Sequence, residues 1–184
     1  MKDIIQSTSY ALMLLLLCCC MGGPQEKEDA RGEEEQVAQA ESVSAEKITE
    51  INTSLCTNIP KELIMSYHPH GQQVETEKMK GSTGCVIKVR YGKKEYNVIQ
   101  GQVEAWKVNT SNPFFQYNPE KNPTMYHKVE GVGEEAVYLA YQRQLLVLQE
   151  GVMYSMAPPS NGRQSDNGKE FKDLAIAMAR HYKL

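Results

Sequence analysis

The sequence predicts an α+β domain in which an N-terminal and a C-terminal helix pack on an antiparallel sheet of about five or six strands. Apolar residues recur at spacings of three or four near both ends of residues 48–184. Between these ends they alternate with polar residues, and turn residues separate the alternating segments. The predicted order is therefore helix and strands, followed by strands and helix.

The first half of this region predicts one helix and three strands. Apolar side chains recur at spacings of four from Ile51 to Leu63, and Pro60 suits a first helical turn, which predicts a helix over residues 60–67. A turn at residues 92–94 joins two alternating segments and predicts a hairpin. The strands predicted here cover residues 85–91, 95–99 and 102–108.

The second half begins with a loop over residues 109–130, which carries three Asn-Pro steps. A loop of about 20 residues is unusual in a compact domain and is often functional. Three strands joined by short turns follow, and a final helix is indicated by apolar residues from Phe171 to Tyr182 at helical spacing. The strands predicted here cover residues 136–141, 144–148 and 152–156.

The composition limits the size and the partners of this domain. The chain has 184 residues, of which 41% are hydrophobic and 23% charged, with a net charge of −3. This length accommodates about one domain. The sequence pI of about 5.9 gives no basic footprint for nucleic acid, so no nucleic-acid partner is expected.

The amino terminus has the pattern of an export signal. The apolar run over residues 10–21 is shorter than the roughly 17 to 25 residues of a spanning helix. It ends in Leu17-Cys18-Cys19-Cys20, and this sequence resembles the signal of bacterial lipoproteins, in which a leucine stands three residues before the lipidated cysteine. The resemblance implies lipidation of Cys20, with Cys19 as the alternative, and a signal peptide over residues 1–20. An ordinary signal peptide and a buried apolar helix are the other interpretations.

A lipid anchor implies that the protein is held on a membrane and does not cross it. Cys20 is followed by Met21 and not by an acidic residue, which by resemblance to Gram-negative lipoproteins favours the outer membrane of the bacterial envelope. Residues 21–47 contain eight acidic and three basic residues and few large apolar side chains. Such a segment is expected to be a disordered tether. An acidic interaction tail or export signal is the alternative.

A second resemblance concerns the domain. Leu55-Cys-Thr-Asn-Ile-Pro-Lys-Glu-Leu-Ile64, then Gly84-Cys85-Val, and later Gly131-Val-Gly-Glu-Glu-Ala136 resemble small secreted domains of mycobacterial lipoproteins and of the extracellular sensor of mycobacterial serine/threonine kinases. The resemblance implies an α+β fold with a cleft and a Cys56–Cys85 disulfide. Export to an oxidising compartment favours this disulfide, and two buried free thiols are the alternative.

Motifs for catalysis, metal or cofactor binding are weak. His68 and His70 form an H-x-H that zinc would complete only with a third ligand such as His127, and a polar turn is the favoured interpretation. Gly131-Val-Gly-Glu-Glu-Ala136 matches a dinucleotide fingerprint but precedes a predicted strand, so turn glycines are expected. We therefore expect no metal, no cofactor and no catalytic residues.

Aromatic residues are the candidates for binding. Trp106 lies in a predicted strand, and Phe114, Phe115 and Tyr117 lie among the Asn-Pro steps of the loop. The sequence favours a noncatalytic domain that binds an unknown protein or small-molecule ligand at the periplasmic or outer side of the envelope. The alternatives are a structural component of an envelope complex and an enzyme whose active site has no sequence motif.

Overall fold

The computed structural model of the chain describes residues 43–92 and 97–184. The predicted signal peptide, the lipidation candidates Cys19 and Cys20 and most of the predicted tether lie outside these residues, as do residues 93–96 of the predicted hairpin. None of the helices in the part of the chain that the structure describes has the length and apolar character needed to cross a lipid bilayer.

The described residues form three helices and seven strands. The helices are α1 (Ala45–Thr57), α2 (Lys61–Met65) and α3 (Phe171–His181). The strands are β1 (Gln73–Lys78), β2 (Cys85–Arg90), β3 (Val98–Lys107), β4 (Tyr126–Val129), β5 (Glu135–Leu139), β6 (Gln144–Gln149) and β7 (Val152–Ala157).

The strands make one antiparallel sheet in the order β1-β2-β3-β7-β6-β5-β4. This confirms the predicted α+β class and the single antiparallel sheet. The predicted number of five or six strands is wrong, because the sheet has seven. β1 and β4, the two edge strands, were not predicted: β1 buries only Val74 and β4 buries only Val129, so neither shows alternation of apolar residues.

Two further elements differ from the prediction. β3 runs without a break through Gln100 and Gly101, where two separate strands were expected. Gly101 belongs within the strand because a Cβ there would lie 2.3 Å from the Ala157 oxygen, so only glycine lets the chain after β7 pass this closely. The predicted helix over residues 60–67 is α2, and α1 precedes it, with Ser44 accepting a hydrogen bond from the Lys47 amide as N-cap.

The inner face of the sheet carries the main core. Strand residues that share this face, among them Ile87, Val103 and Met156, are fully buried under the three helices. α1 packs on β3, and α3 packs on β6 and β7. The Tyr182 hydroxyl donates to the Leu55 carbonyl over 2.9 Å and ties the end of α3 to α1.

The outer face is divided into two halves. Over β1 and β2 it is charged, with Arg90 paired to Glu75 and Lys88 paired to Glu77. Over β5, β6 and β7 it carries a second apolar cluster, which the loop after β3 covers. The apolar side chains on this half of the outer face would be exposed to water without the loop, and the loop buries them.

The predicted disulfide is present. Cys56, in the last turn of α1, is bonded to Cys85, the first residue of β2, with 5.7 Å between their Cα atoms. The bond therefore joins the first helix to β2, the strand next to the edge strand β1.

Candidate functional site

The loop over residues 108–125 is held on the outer face by one aromatic residue. Phe114 is only 5% exposed and packs with Val137, Leu139, Leu146 and Met153. Its neighbour Phe115 points the other way and is 73% exposed. Adjacent side chains of an irregular segment face different sides, and here one of them anchors the loop while the other stands in solvent.

Tyr117 follows this anchor through a tight turn. Its amide donates to the Phe114 carbonyl over 2.8 Å, and its ring meets the Tyr126 ring edge to face with 5.8 Å between centroids. Such a contact fixes the orientation of the Tyr117 ring beside the sheet.

A cavity of about 340 Å³ lies between this loop and the outer face. Trp106 of β3 and Tyr117 of the loop line it, and Met153 and Leu146 are among its apolar residues. Trp106 lies opposite Met153 in the register of β3 and β7, and 39% of its surface is exposed. We name this cavity the outer-face groove.

Uncharged polar side chains complete the lining of the groove. Gln144 lines it and donates to the buried Ser155 hydroxyl over 2.5 Å, which orients its amide. The remaining uncharged polar lining residues are Asn109, Thr110 and Gln116, and Lys107 is the charged residue of the lining. Histidine, cysteine and carboxylate side chains are absent from the lining that the described residues provide. The groove thus combines aromatic surface with amides and a hydroxyl that both donate and accept hydrogen bonds.

The four predicted binding residues are divided between two neighbouring cavities. Trp106 and Tyr117 line the outer-face groove. Phe114 and Phe115 line a second cavity of about 500 Å³, where the Lys121 ammonium lies 5.8 Å from the Phe115 ring centre. Phe114 serves to hold the loop in place, since little of its surface is exposed.

His68, a candidate metal ligand in the sequence, is committed to other contacts. It is buried, its Nε2 donates to the Pro159 carbonyl over 3.0 Å, and its Nδ1 accepts from the Tyr91 hydroxyl over 2.6 Å. The carbonyl can only accept, which assigns the proton to Nε2. His70 is exposed, and His127 contacts the Tyr138 ring at the other end of the sheet. Within residues 43–92 and 97–184, groups of three or more metal-ligating side chains are not found.

Burial gives His68 a role in pH-dependent stability. It lowers the pKa of His68 below the ordinary value of 6.5, although the Pro159 carbonyl opposes the shift. The unfolded chain therefore takes up a proton at a higher pH than the folded protein does. The stabilisation from neutral His68 is complete above about pH 6.5 and is lost as the pH falls toward the lowered pKa.

We expect the free energy of unfolding to fall between about pH 7.5 and pH 5.5, a window above the titration of most carboxylates. Urea unfolding at both pH values measures the difference in the free energy of unfolding. This difference should be smaller in His68→Gln than in the unmodified protein. His70→Gln is the matched control, because His70 is exposed and two residues away. An unchanged pH difference in His68→Gln would contradict this assignment.

The glycine motif of residues 131–136 forms a turn. Gly131 and Gly133 have φ values of 70° and 59°, and β5 begins at Glu135 directly after them. A dinucleotide fingerprint needs a helix at this point, so the turn interpretation of these glycines holds.

One structural residue that the sequence did not single out is Asn52. It is fully buried in α1, where a polar side chain is unusual. Its side chain exchanges two 2.8 Å hydrogen bonds with the backbone of Ala105, where β3 extends beyond its partner β2. An isolated asparagine in a polar helix gives no signal of this contact.

Comparison of the chain with protein-family models, with curated proteins and with solved structures finds no match.

Proposed function

We propose that this chain is a lipid-anchored protein of the bacterial envelope whose domain binds a small uncharged ligand without catalysis. The lipoprotein-type pattern of residues 1–20 supports the anchor. The lining of the outer-face groove supports ligand binding, and it is the observation that carries the proposal.

The chemistry of the groove favours a neutral ligand. The charged side chain in its lining is Lys107, and the polar groups that face the cavity otherwise are amides and hydroxyls. Amides and hydroxyls donate and accept equally well, so they match a ligand whose own groups also do both. A charged ligand would find no set of opposite charges here.

The aromatic residues that line the groove restrict the chemical class of the ligand further. Trp106 and Tyr117 offer flat surfaces to a ligand with an apolar face. A saccharide unit has C–H groups on its ring faces and hydroxyls around its edge, and it fits both parts of this lining. The volume of about 340 Å³ is at the lower end of small-molecule sites and accommodates about one or two such units. We propose a neutral saccharide as the ligand class.

The groove contains its own optical reporter, because Trp106 is the single tryptophan of the chain. We expect that neutral saccharides, tested one by one with the purified full chain, include at least one that changes the tryptophan emission saturably. The reason is that a bound ring would replace water at the indole. Weak affinity, in the millimolar to micromolar range, is expected for so small a contact.

Two variants separate the groove from the rest of the domain. Gln144→Ala removes a lining amide and should weaken the saturable change about fivefold or more. Phe115→Ala is the matched aromatic control, because Phe115 is exposed outside the groove, and it should leave the titration unchanged. Emission that stays constant with every saccharide, up to millimolar concentration, would contradict the ligand class.

A structural role in an envelope complex is the second candidate. Met125 and Tyr141 are exposed large apolar residues, one directly before β4 and one just after the end of β5. An exposed pair of large apolar side chains supports a protein contact, although it is small for a stable interface.

A further inference from the structure

Another cavity, separate from the outer-face groove and from the cavity at Phe115, lies between β5 and the start of α3. Its volume is about 390 Å³. Its lining includes Tyr138, Ala140, Arg143, Arg163, Glu170 and Lys172. We name it the cationic cavity, because three of these side chains are cations and one is an anion.

The single carboxylate in this lining is already engaged. Glu170 accepts a hydrogen bond from the Gln164 amide over 2.5 Å through Oε1, and its Oε2 lies 3.4 Å from the Arg163 Nε. Arg143 and Lys172 make no ion pair within the described residues. The residues that line the cavity therefore carry an excess of about two positive charges, and Asp173, which lies outside the lining, offsets part of this charge.

Arg143 is held in place at the edge of the cavity. It is half-buried, and its Nε donates to the Ser160 hydroxyl over 2.9 Å. This bond uses one of its five donors, and the terminal nitrogens have no acceptor among the described residues. An oriented guanidinium with free terminal donors is the group that binds oxyanions in a bidentate manner.

Tyr138 provides an independent observation. Only 6% of it is exposed, and its hydroxyl makes no hydrogen bond to the residues that the structure describes. Every fully enclosed polar side-chain atom in these residues has a partner, so the Tyr138 hydroxyl is open to the cavity that it lines. Burial raises the pKa of Tyr138, which keeps the hydroxyl protonated and able to donate.

The helix that borders the cavity adds to its positive potential. Glu170 is the N-cap of the 11-residue α3 and makes no side-chain cap hydrogen bond. The amino-terminal end of a helix carries partial positive charge, although the exposed Asp173 in the first turn offsets part of it. Helix end, cations and hydroxyl thus favour the same kind of ligand.

We propose that the cationic cavity binds a phosphate group, either free phosphate or a phosphomonoester, through Arg143, Lys172 and the Tyr138 hydroxyl. A dianion matches the excess of about two positive charges better than a carboxylate does, since a carboxylate carries a single charge. Ala140 and the ring of Tyr138 form an apolar wall for the carbon skeleton of an ester. This site is independent of the saccharide proposal.

The test is isothermal titration calorimetry of the full chain with inorganic phosphate, with phenyl phosphate and with acetate at constant ionic strength. We expect saturable binding of both phosphates and none of acetate. Tighter binding of phenyl phosphate would assign the site to phosphomonoesters, and equal binding would assign it to free phosphate.

Three variants locate the binding. Arg143→Gln, Lys172→Gln and Tyr138→Phe should each weaken phosphate binding about tenfold, because each removes a donor to a charged group. Lys80→Gln removes an exposed cation beside β1, at the opposite edge of the sheet. This variant should bind phosphate with the same affinity as the unmodified chain. Trp106→Phe should also leave phosphate affinity unchanged. Absence of saturable heat with either phosphate, or equal losses in Lys80→Gln and Arg143→Gln, would overturn the proposal.

Discussion

Replacement of both disulfide cysteines, Cys56→Ala with Cys85→Ala, is expected to lower the free energy of unfolding by about 3 to 4 kcal/mol. The bond spans a sequence separation of 29 residues, and closing a loop of this length restricts the unfolded chain by about that amount. Cys85 is buried at the start of β2, so its replacement also removes core contacts. Urea unfolding of both proteins under oxidising conditions measures the difference.

A reductant supplies the matched control for this experiment. It should destabilise the unmodified protein by nearly the same amount and leave the double variant unchanged, because the variant has no bond to reduce in its domain. If thiol labelling of the denatured, unreduced protein finds Cys56 and Cys85 free, or if the loss is below about 1 kcal/mol, the disulfide does not stabilise the fold as described.

Asn52→Ala is expected to lower the free energy of unfolding by about 3 kcal/mol. The Asn52 amide donates to the Ala105 carbonyl and its oxygen accepts from the Ala105 amide, both over 2.8 Å and both buried. It also donates to the Thr83 hydroxyl over 2.7 Å. Alanine would leave these buried partners unpaired and a small cavity between α1 and β3.

Two variants test the chemical basis of this effect. Asn52→Asp keeps the acceptor for the Ala105 amide but loses the donor to its carbonyl, so it should destabilise at least as strongly as alanine does. Asn58→Ala changes an exposed asparagine directly after the same helix, whose amide donates only to Ser54, and should cost less than about 1 kcal/mol. A loss of less than about 1 kcal/mol in Asn52→Ala would show that α1 is held by its apolar residues alone.

The parts of the fold that the sequence predicted are those with regular apolar periodicity. β2 alternates buried and half-buried residues along Cys85–Arg90, and α3 buries Phe171, Leu174 and Met178 at helical spacing. α1 was missed as a separate helix because the apolar spacing of four that begins at Ile51 was assigned to one helix starting at Pro60. α1 packs on the main core through Leu55, Ile48 and Ile51, and its hydrogen bonds to β3 and the disulfide are contacts that local periodicity does not reveal.

The candidate sites were predictable to different degrees. The aromatic loop residues were visible as aromatic side chains among Asn-Pro steps, and the groove contains Tyr117 of the loop together with Trp106. The sequence does not show that Phe114 is buried and Phe115 is exposed, because this depends on which of the two side chains contacts the outer face of the sheet. Arg143, Arg163 and Lys172 come from three separate segments, and only the sheet order and the position of α3 bring them to one cavity.

Binding of a neutral saccharide in the outer-face groove can be tested directly by nuclear magnetic resonance at Trp106. One tryptophan gives one indole N–H signal, whose assignment needs no further experiment. On titration with a saccharide that changes the emission, we expect this signal to shift saturably, together with the side-chain amide signal of Gln144. Shifts confined to residues outside the groove, or an indole signal that stays in place at saturating saccharide, would contradict saccharide binding in the outer-face groove.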